Sequence, residues 1–306
     1  MAPIIAACAS PYTNSSSNVQ RLTPISSTRS PSDAGDSGDS TLVVPADAAR
    51  VSWASPQQAS LGPGVQAYTG NSQCTTNFVF VDDAARVYLG QAAHCSATSE
   101  KNADGCSAEL LPLQTPVSLR QAGGPHRRGA VIATGQLAYS SWNAMQRLGE
   151  RDQATCAGND FALIQIPAAD AAKTNPSVPA WGGPTGLNTH GTAPGQRVLG
   201  YGNSSLRLGL SPLSPQDGTV EPSAPDDGGW VHRYSSMRPG IPGDSGSAIL
   251  DDHGEALGTV STLAFSIPLV NTCGDLNREL RYASEHSGIP GLRLVLGDAP
   301  FSGPTS

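Results

Sequence analysis

The sequence predicts an all-β domain, and three observations carry that prediction. Glycine and proline number 34 and 25 among 306 residues, so turns are frequent. Only 14% of residues are charged, and long amphipathic helices are few. From Leu61 onward, short apolar runs alternate with turn signals, the pattern of many short strands.

Residues 1–60 are rich in Ser, Thr, Pro, Ala and Asp without apolar periodicity. They read as a signal remnant followed by a disordered linker. The first ten residues are mildly apolar, carry no Lys or Arg, and look like the tail of a secretory signal. Ile5-Ala6-Ala7-Cys8 is similar to a bacterial lipobox, which makes Cys8 a lipid anchor in the alternative reading. One domain is expected over 61–298, with 299–306 as a tail.

Within the domain, Asn77–Val81, the turn at Asp82-Asp83 and Arg86–Gly90 read as a β-hairpin. Ser247–Leu250, the turn Asp251–Gly254 and Ala256–Ser261 read as another. Two segments read as helices. Ser140–Glu150 spaces Trp142, Met145 and Leu148 three apart. Asp275–His286 begins with an Asp N-cap, places Leu276, Leu280 and Ala283 on one face, and stops before Gly288.

The net charge of −7 and pI near 5.3 argue against a nucleic-acid surface. His126-Arg127-Arg128, the notable basic cluster, reads as a solvated loop. No apolar run approaches membrane-spanning length. No ligand cluster has metal spacing, and neither a metal nor a cofactor is expected.

The chemistry concentrates in three segments. Gly243-Asp244-Ser245-Gly246 lies between a Pro/Gly-rich loop (Arg238–Pro242) and an apolar strand (Ala248–Leu250). A serine there sits on a tight turn with backbone N–H groups free to face a reacting oxygen. The same letters recur at Gly35–Gly38, but in a tract with no apolar strand leading into it. Gln91-Ala92-Ala93-His94-Cys95 follows the first hairpin, and Asn159-Asp160-Phe161-Ala162-Leu163-Ile164 puts an acid at the mouth of an apolar strand.

The order His, Asp, Ser in these three segments resembles the chymotrypsin-like (trypsin-fold) serine proteases, especially secreted actinobacterial ones. The resemblance runs from about Gln73 to Gly288 and includes Gly200-Tyr201-Gly202 and Gly258-Thr259-Val260-Ser261. It implies two six-stranded antiparallel β-barrels closed by a C-terminal helix. It also implies a secreted serine endopeptidase that acts on protein or peptide substrates, as a monomer. Ser245 would be the nucleophile, His94 the base, and Asp160 the residue that orients His94. The N–H groups of Gly243 and Ser245 would form the oxyanion hole. Ser261 would bond Asp160 and help hold the substrate backbone.

The resemblance further implies a Cys74–Cys95 disulfide. Cys106 and Cys156 are then the next pair, leaving Cys8 and Cys273. Asp244 would be buried in an ion pair. No Ile-Val-Gly-Gly exists to supply its partner from a new N-terminus, and Arg197 is the internal candidate. Pro239 stands where trypsin-like members carry a pocket-floor Asp, so cleavage after Arg or Lys is not expected. Leu263 replaces a common pocket glycine and favours small or apolar side chains. The alternatives are a protease-fold binding protein with little turnover, a serine esterase using the same triad, and a cell-surface lipoprotein rather than a free secreted form.

Overall fold

The computed structural model describes residues 41–99, 104–224, 227–264 and 270–303. The N-terminal half contributes strands β1 (Val43–Val44), β2 (Gln66–Thr69), β3 (Ser72–Thr75), β4 (Val79–Val81), β5 (Val87–Gln91), β6 (Pro116–Arg120), β7 (Val131–Ser140) and β8 (Ala162–Gln165). Helices α1 (Ser141–Leu148) and α2 (Gln153–Gly158) lie between β7 and β8. The C-terminal half contributes β9 (Arg197–Tyr201), β10 (Pro215–Val220), β11 (Val231–Ser236), β12 (Ala248–Asp251), β13 (Ala256–Ala264) and β14 (Val270–Asp275). Helix α3 (Leu276–His286) and strand β15 (Arg293–Val295) follow.

Strands β9–β14 close into a six-stranded antiparallel barrel in the order β10-β11-β14-β13-β12-β9. The other strands form a nine-stranded sheet in the order β1-β15-β4-β5-β8-β7-β6-β2-β3. This mostly antiparallel β architecture with its C-terminal helix agrees with the chymotrypsin-like arrangement the sequence resemblance implies. The N-terminal half differs from a plain six-stranded barrel because β15 returns after α3 to pair with β4, and β1 adds to β15 in parallel.

Alternation along the strands builds the cores, since successive side chains point to opposite faces. On β5, Tyr88 joins a core shared by both halves and α3, while Leu89 fills the interior of the N-terminal sheet. On β8, Leu163 and Ile164 divide the same way. On β12, Ala248 and Leu250 face the shared core and Ile249 faces the barrel interior with Tyr234, Val260 and Cys273. Helix α3 presents Leu276, Leu280 and Ala283 to the shared core, and its N-cap Asp275 accepts from Arg278 N at 2.9 Å. The shared core locks the two halves together, so a site between them is held from both sides.

Two boundaries differ from the sequence expectation. Residues 41–60 belong to the folded unit: Leu42 and Val44 are buried, and their carbonyls accept from Leu294 N and Leu296 N. A two-residue strand in a Ser/Thr/Asp-rich tract leaves no periodic trace to read. At the other end, Phe301 packs over Gly254 and Ser302 N donates to Trp181 O, so the chain beyond 298 is docked through Gly303. Cys8 and the second Gly-Asp-Ser-Gly copy lie outside the described residues.

Candidate active site

His94 sits on a turn of 3-10 helix (Ala93–Ser96) directly after β5, and Asp160 precedes β8, the neighbouring strand. Pairing of Gln91 with Ala162 therefore brings the two residues together. Asp160 is buried at 2% exposure, and its carboxylate is bound from three directions. One oxygen accepts the His94 backbone N–H at 2.8 Å. The other faces His94 Nδ1 at 2.6 Å and accepts the Ser261 hydroxyl at 2.6 Å. Burial of the His94 ring opposes its charged form, but the charge and hydrogen bond of Asp160 outweigh burial and hold the imidazole above its ordinary range. Trp142 of α1 flanks the ring, with centroids 6.4 Å apart.

Ser245 reaches the same place from the barrel. Its loop is bracketed by Gly243 (φ +97°) and Gly246 (φ +87°), both in the left-handed region that favours glycine. A Cβ on Gly246 would lie 2.7 Å from Thr75 O and 2.8 Å from Ala92 N. Only glycine lets the loop rest on the backbone two residues before His94. Two bonds from β3 pin it there: Thr75 N donates to Ser245 O at 2.8 Å, and Thr75 Oγ1 donates to Gly243 O at 2.8 Å. The Gly243 carbonyl is thereby anchored to β3.

Asp244 is fully buried, and its partner is Arg207, itself 7% exposed. Arg207 Nε lies 3.2 and 3.1 Å from the two carboxylate oxygens, and Nη2 also bonds Asp244. Ser204 N, Ile241 N and Gln216 Nε2 complete the carboxylate's partners. The guanidinium also donates to Leu213 O and to Pro239 O. Arg197, the candidate from sequence, instead pairs with Asp217 on the exposed face of β9 and β10. Strand alternation points Arg197 outward, whereas the loop after Gly202 folds back to bring Arg207 onto Asp244. A Cβ on Gly202 would lie 2.4 Å from the Asp244 carboxylate, so glycine is needed there too.

Around the cleft, Pro239 is tied by its carbonyl to Arg207. Leu263 lies on β13 opposite Asn271, and its side chain is outside the described set. Asn271, which sequence reading passed over, is buried and clamps the loop leading to Ser245 to β13. It accepts from Gly240 N at 2.9 Å and donates to Gly240 O at 3.2 Å and Thr262 O at 3.4 Å.

Cys74–Cys95 and Cys106–Cys156 are disulfides, and Cys273 is a buried free thiol. The first bridge ties β3, which pins the Ser245 loop, to the residue after His94. The second ties the segment before β6 to α2, just ahead of Asp160. Among the described residues, His190, Asp251 and Glu255 bring potential cation ligands within 4.8 Å of one another. Asp251 is already spent on Asn188 Nδ2 and on the N–H groups of His253 and Glu255.

No protein-family profile matches the sequence, and no curated protein does. Solved structures align with it. Thermobifida fusca protease A aligns over 77% of this chain and 98% of its own, at 19% identity and a TM-score of 0.47. Nocardiopsis protease aligns over 76% and 98%, at 16% identity and a TM-score of 0.44. Cellulomonas bogoriensis chymotrypsin aligns over 76% and 97%, at 18% identity and a TM-score of 0.44. Likeness at this level carries no functional weight; the geometry of the site does.

Proposed function

We propose that this chain is a serine endopeptidase with Ser245 as nucleophile, His94 as general base and Asp160 as the group that orients His94. The observation that carries this reading is the Asp160 carboxylate. It is bound at once by the backbone and the ring of His94 and by Ser261, and the serine loop is pinned to β3, which a disulfide ties to the residue after His94. His94 Nδ1 facing Asp160 leaves Nε2 to take a proton from Ser245 Oγ as it attacks the scissile carbonyl. The same nitrogen then returns that proton to the leaving amine. Asp160 stabilises the imidazolium formed between the two steps. The N–H groups of Gly243 and Ser245 stabilise the tetrahedral oxyanion, each such donor being worth roughly 10²–10³ in rate.

The buried Arg207–Asp244 pair supports a working enzyme over a catalytically silent binding protein, because it preorganises the loop that carries Ser245. Pro239 in place of an acid disfavours cleavage after Arg and Lys. The two disulfides favour an oxidising compartment, in keeping with export. The test is hydrolysis of a peptide library beside small p-nitrophenyl esters, by wild type and Ser245→Ala. Peptide cleavage lost in Ser245→Ala supports the reading. Ester cleavage alone transfers the triad to an esterase, and no cleavage of either by folded wild type overturns catalysis.

A further inference from the structure

Glu279 is a carboxyl that the reaction above does not use, yet it is 0% exposed and touches the triad from behind. It lies in the first turn of α3, and its Oε1 accepts the backbone N–H of Asp160 at 3.3 Å. The side chain of Thr259 on β13 lies beside the Glu279 carboxyl, and the Thr259 oxygen accepts Asn77 Nδ2 at 3.1 Å. Gly274 makes the space, since a Cβ there would lie 2.0 Å from Glu279 Oε1. Glu279 Oε2 has no partner among the described residues. Asn77 and Asp160 belong to the N-terminal half, Thr259 to the barrel and Glu279 to the helix that spans their shared core. The chain Asn77–Thr259–Glu279–Asp160 therefore crosses between the halves directly beneath the residue that orients His94.

We propose that Glu279 is a positioning residue that fixes the Asp160 backbone to Thr259 and Asn77, and so sets the Asp160 carboxylate between His94 and Ser261. The inference rests on the triad reading above. Burial raises the pKa of Glu279 well above the usual carboxylate range, and the negative charges of Asp160 and Asp275 raise it further. Cys273 of β14 and Tyr139 of β7 also face it, and burial keeps both neutral by raising their pKa values. No cation faces it among these groups. A charged Glu279 would repel Asp160, whereas a neutral one holds its N–H without competing for His94.

The test compares wild type, Glu279→Gln, Glu279→Leu and Thr259→Val by kcat, KM, the acid limb of the pH profile and the low-field ¹H NMR signal of the His94 Nδ1 proton. Gln keeps an oxygen for Asp160 N–H, so kcat should stay within about threefold, with the acid limb and NMR signal unmoved. Leu removes the acceptor, so kcat should fall at least tenfold with KM within about twofold, and the Nδ1 signal should move upfield. Thr259→Val should shift both in the same direction by less, and it serves if Glu279→Leu does not fold. Wild-type kcat and an unmoved signal in folded Glu279→Leu, or in Thr259→Val in its place, would overturn the proposal. So would a Gln variant that matches Leu, since charge rather than acceptance would then be at work. An inert wild type defeats the peptidase reading, while the NMR comparison still decides the role of Glu279.

Discussion

The two halves of the molecule hold the proposed catalytic residues by different means. His94 and Asp160 lie in a half closed by two disulfides, one beside His94 and one just ahead of Asp160. Ser245 lies in a barrel whose single described cysteine is a free buried thiol. There, a buried ion pair between Asp244 and Arg207, backed by Ser204, Ile241 and Gln216, fixes the Ser245 loop. The proposed base and acid thus sit beside covalent staples, and the proposed nucleophile beside a buried ion pair. A covalent staple acts mainly by restricting the unfolded chain, whereas a buried ion pair depends on both partners being present. The halves should therefore fail under different insults.

Removing the reacting groups should give the largest effect. Ser245→Ala and His94→Ala should each lower kcat by about 10⁴–10⁶, and the double variant should lose little more, because such residues act as one unit. Kinetics of the three variants on one peptide check this, and additive losses would break the link between the halves. Arg207→Met comes next. It leaves the Asp244 charge buried without a partner and should cost about 3–5 kcal/mol of stability, with kcat falling as the loop loosens. Urea unfolding measures the cost, and Arg207→Met/Asp244→Asn should recover part of it.

Opening either one of the N-terminal staples should cost a similar amount. Their sequence separations of 21 and 50 correspond to about 3–4 kcal/mol each in the chain-entropy picture. Melting in reductant should drop by many degrees, whereas Cys273→Ala should leave the melting temperature nearly unchanged. Equal sensitivity of both would erase the contrast between the halves. The smallest effect concerns pH. Asp160 favours protonated His94, and that form cannot accept the Ser245 proton. Activity should therefore fall as pH drops through a value above the ordinary imidazole pKa of about 6.5. A wild-type kcat/KM limb centred below that value would contradict the His94–Asp160 geometry.

The three segments of the proposed triad were legible because each member is embedded in its own short motif, and strand pairing of β5 with β8 brings His94 and Asp160 together. Arg207 was not. It is an isolated cation among Leu206, Leu208 and Leu210, and nothing local marks a fold-back toward a residue 37 positions later. Arg197 looked the better partner because it adjoins an obvious strand, but strand alternation turns it to solvent. Glu279 was half legible. Its position completes the spacing of Leu276, Leu280 and Ala283 along the buried face of α3, yet a carboxylate on that face is the residue pattern reading assigns to solvent. The β1–β15 pairing escaped because it joins two very short strands from opposite ends of the chain.

The central claim, that Ser245 is activated by a base delivered from the other half, has one direct measurement. Wild-type protein with intact disulfides is treated with a fluorophosphonate near pH 8 and mapped by peptide mass spectrometry. The account predicts one adduct per chain, on Ser245, forming orders of magnitude more slowly in His94→Ala and absent in Ser245→Ala. No adduct on folded wild type, or an adduct at Ser37 in the other Gly-Asp-Ser-Gly, would contradict it.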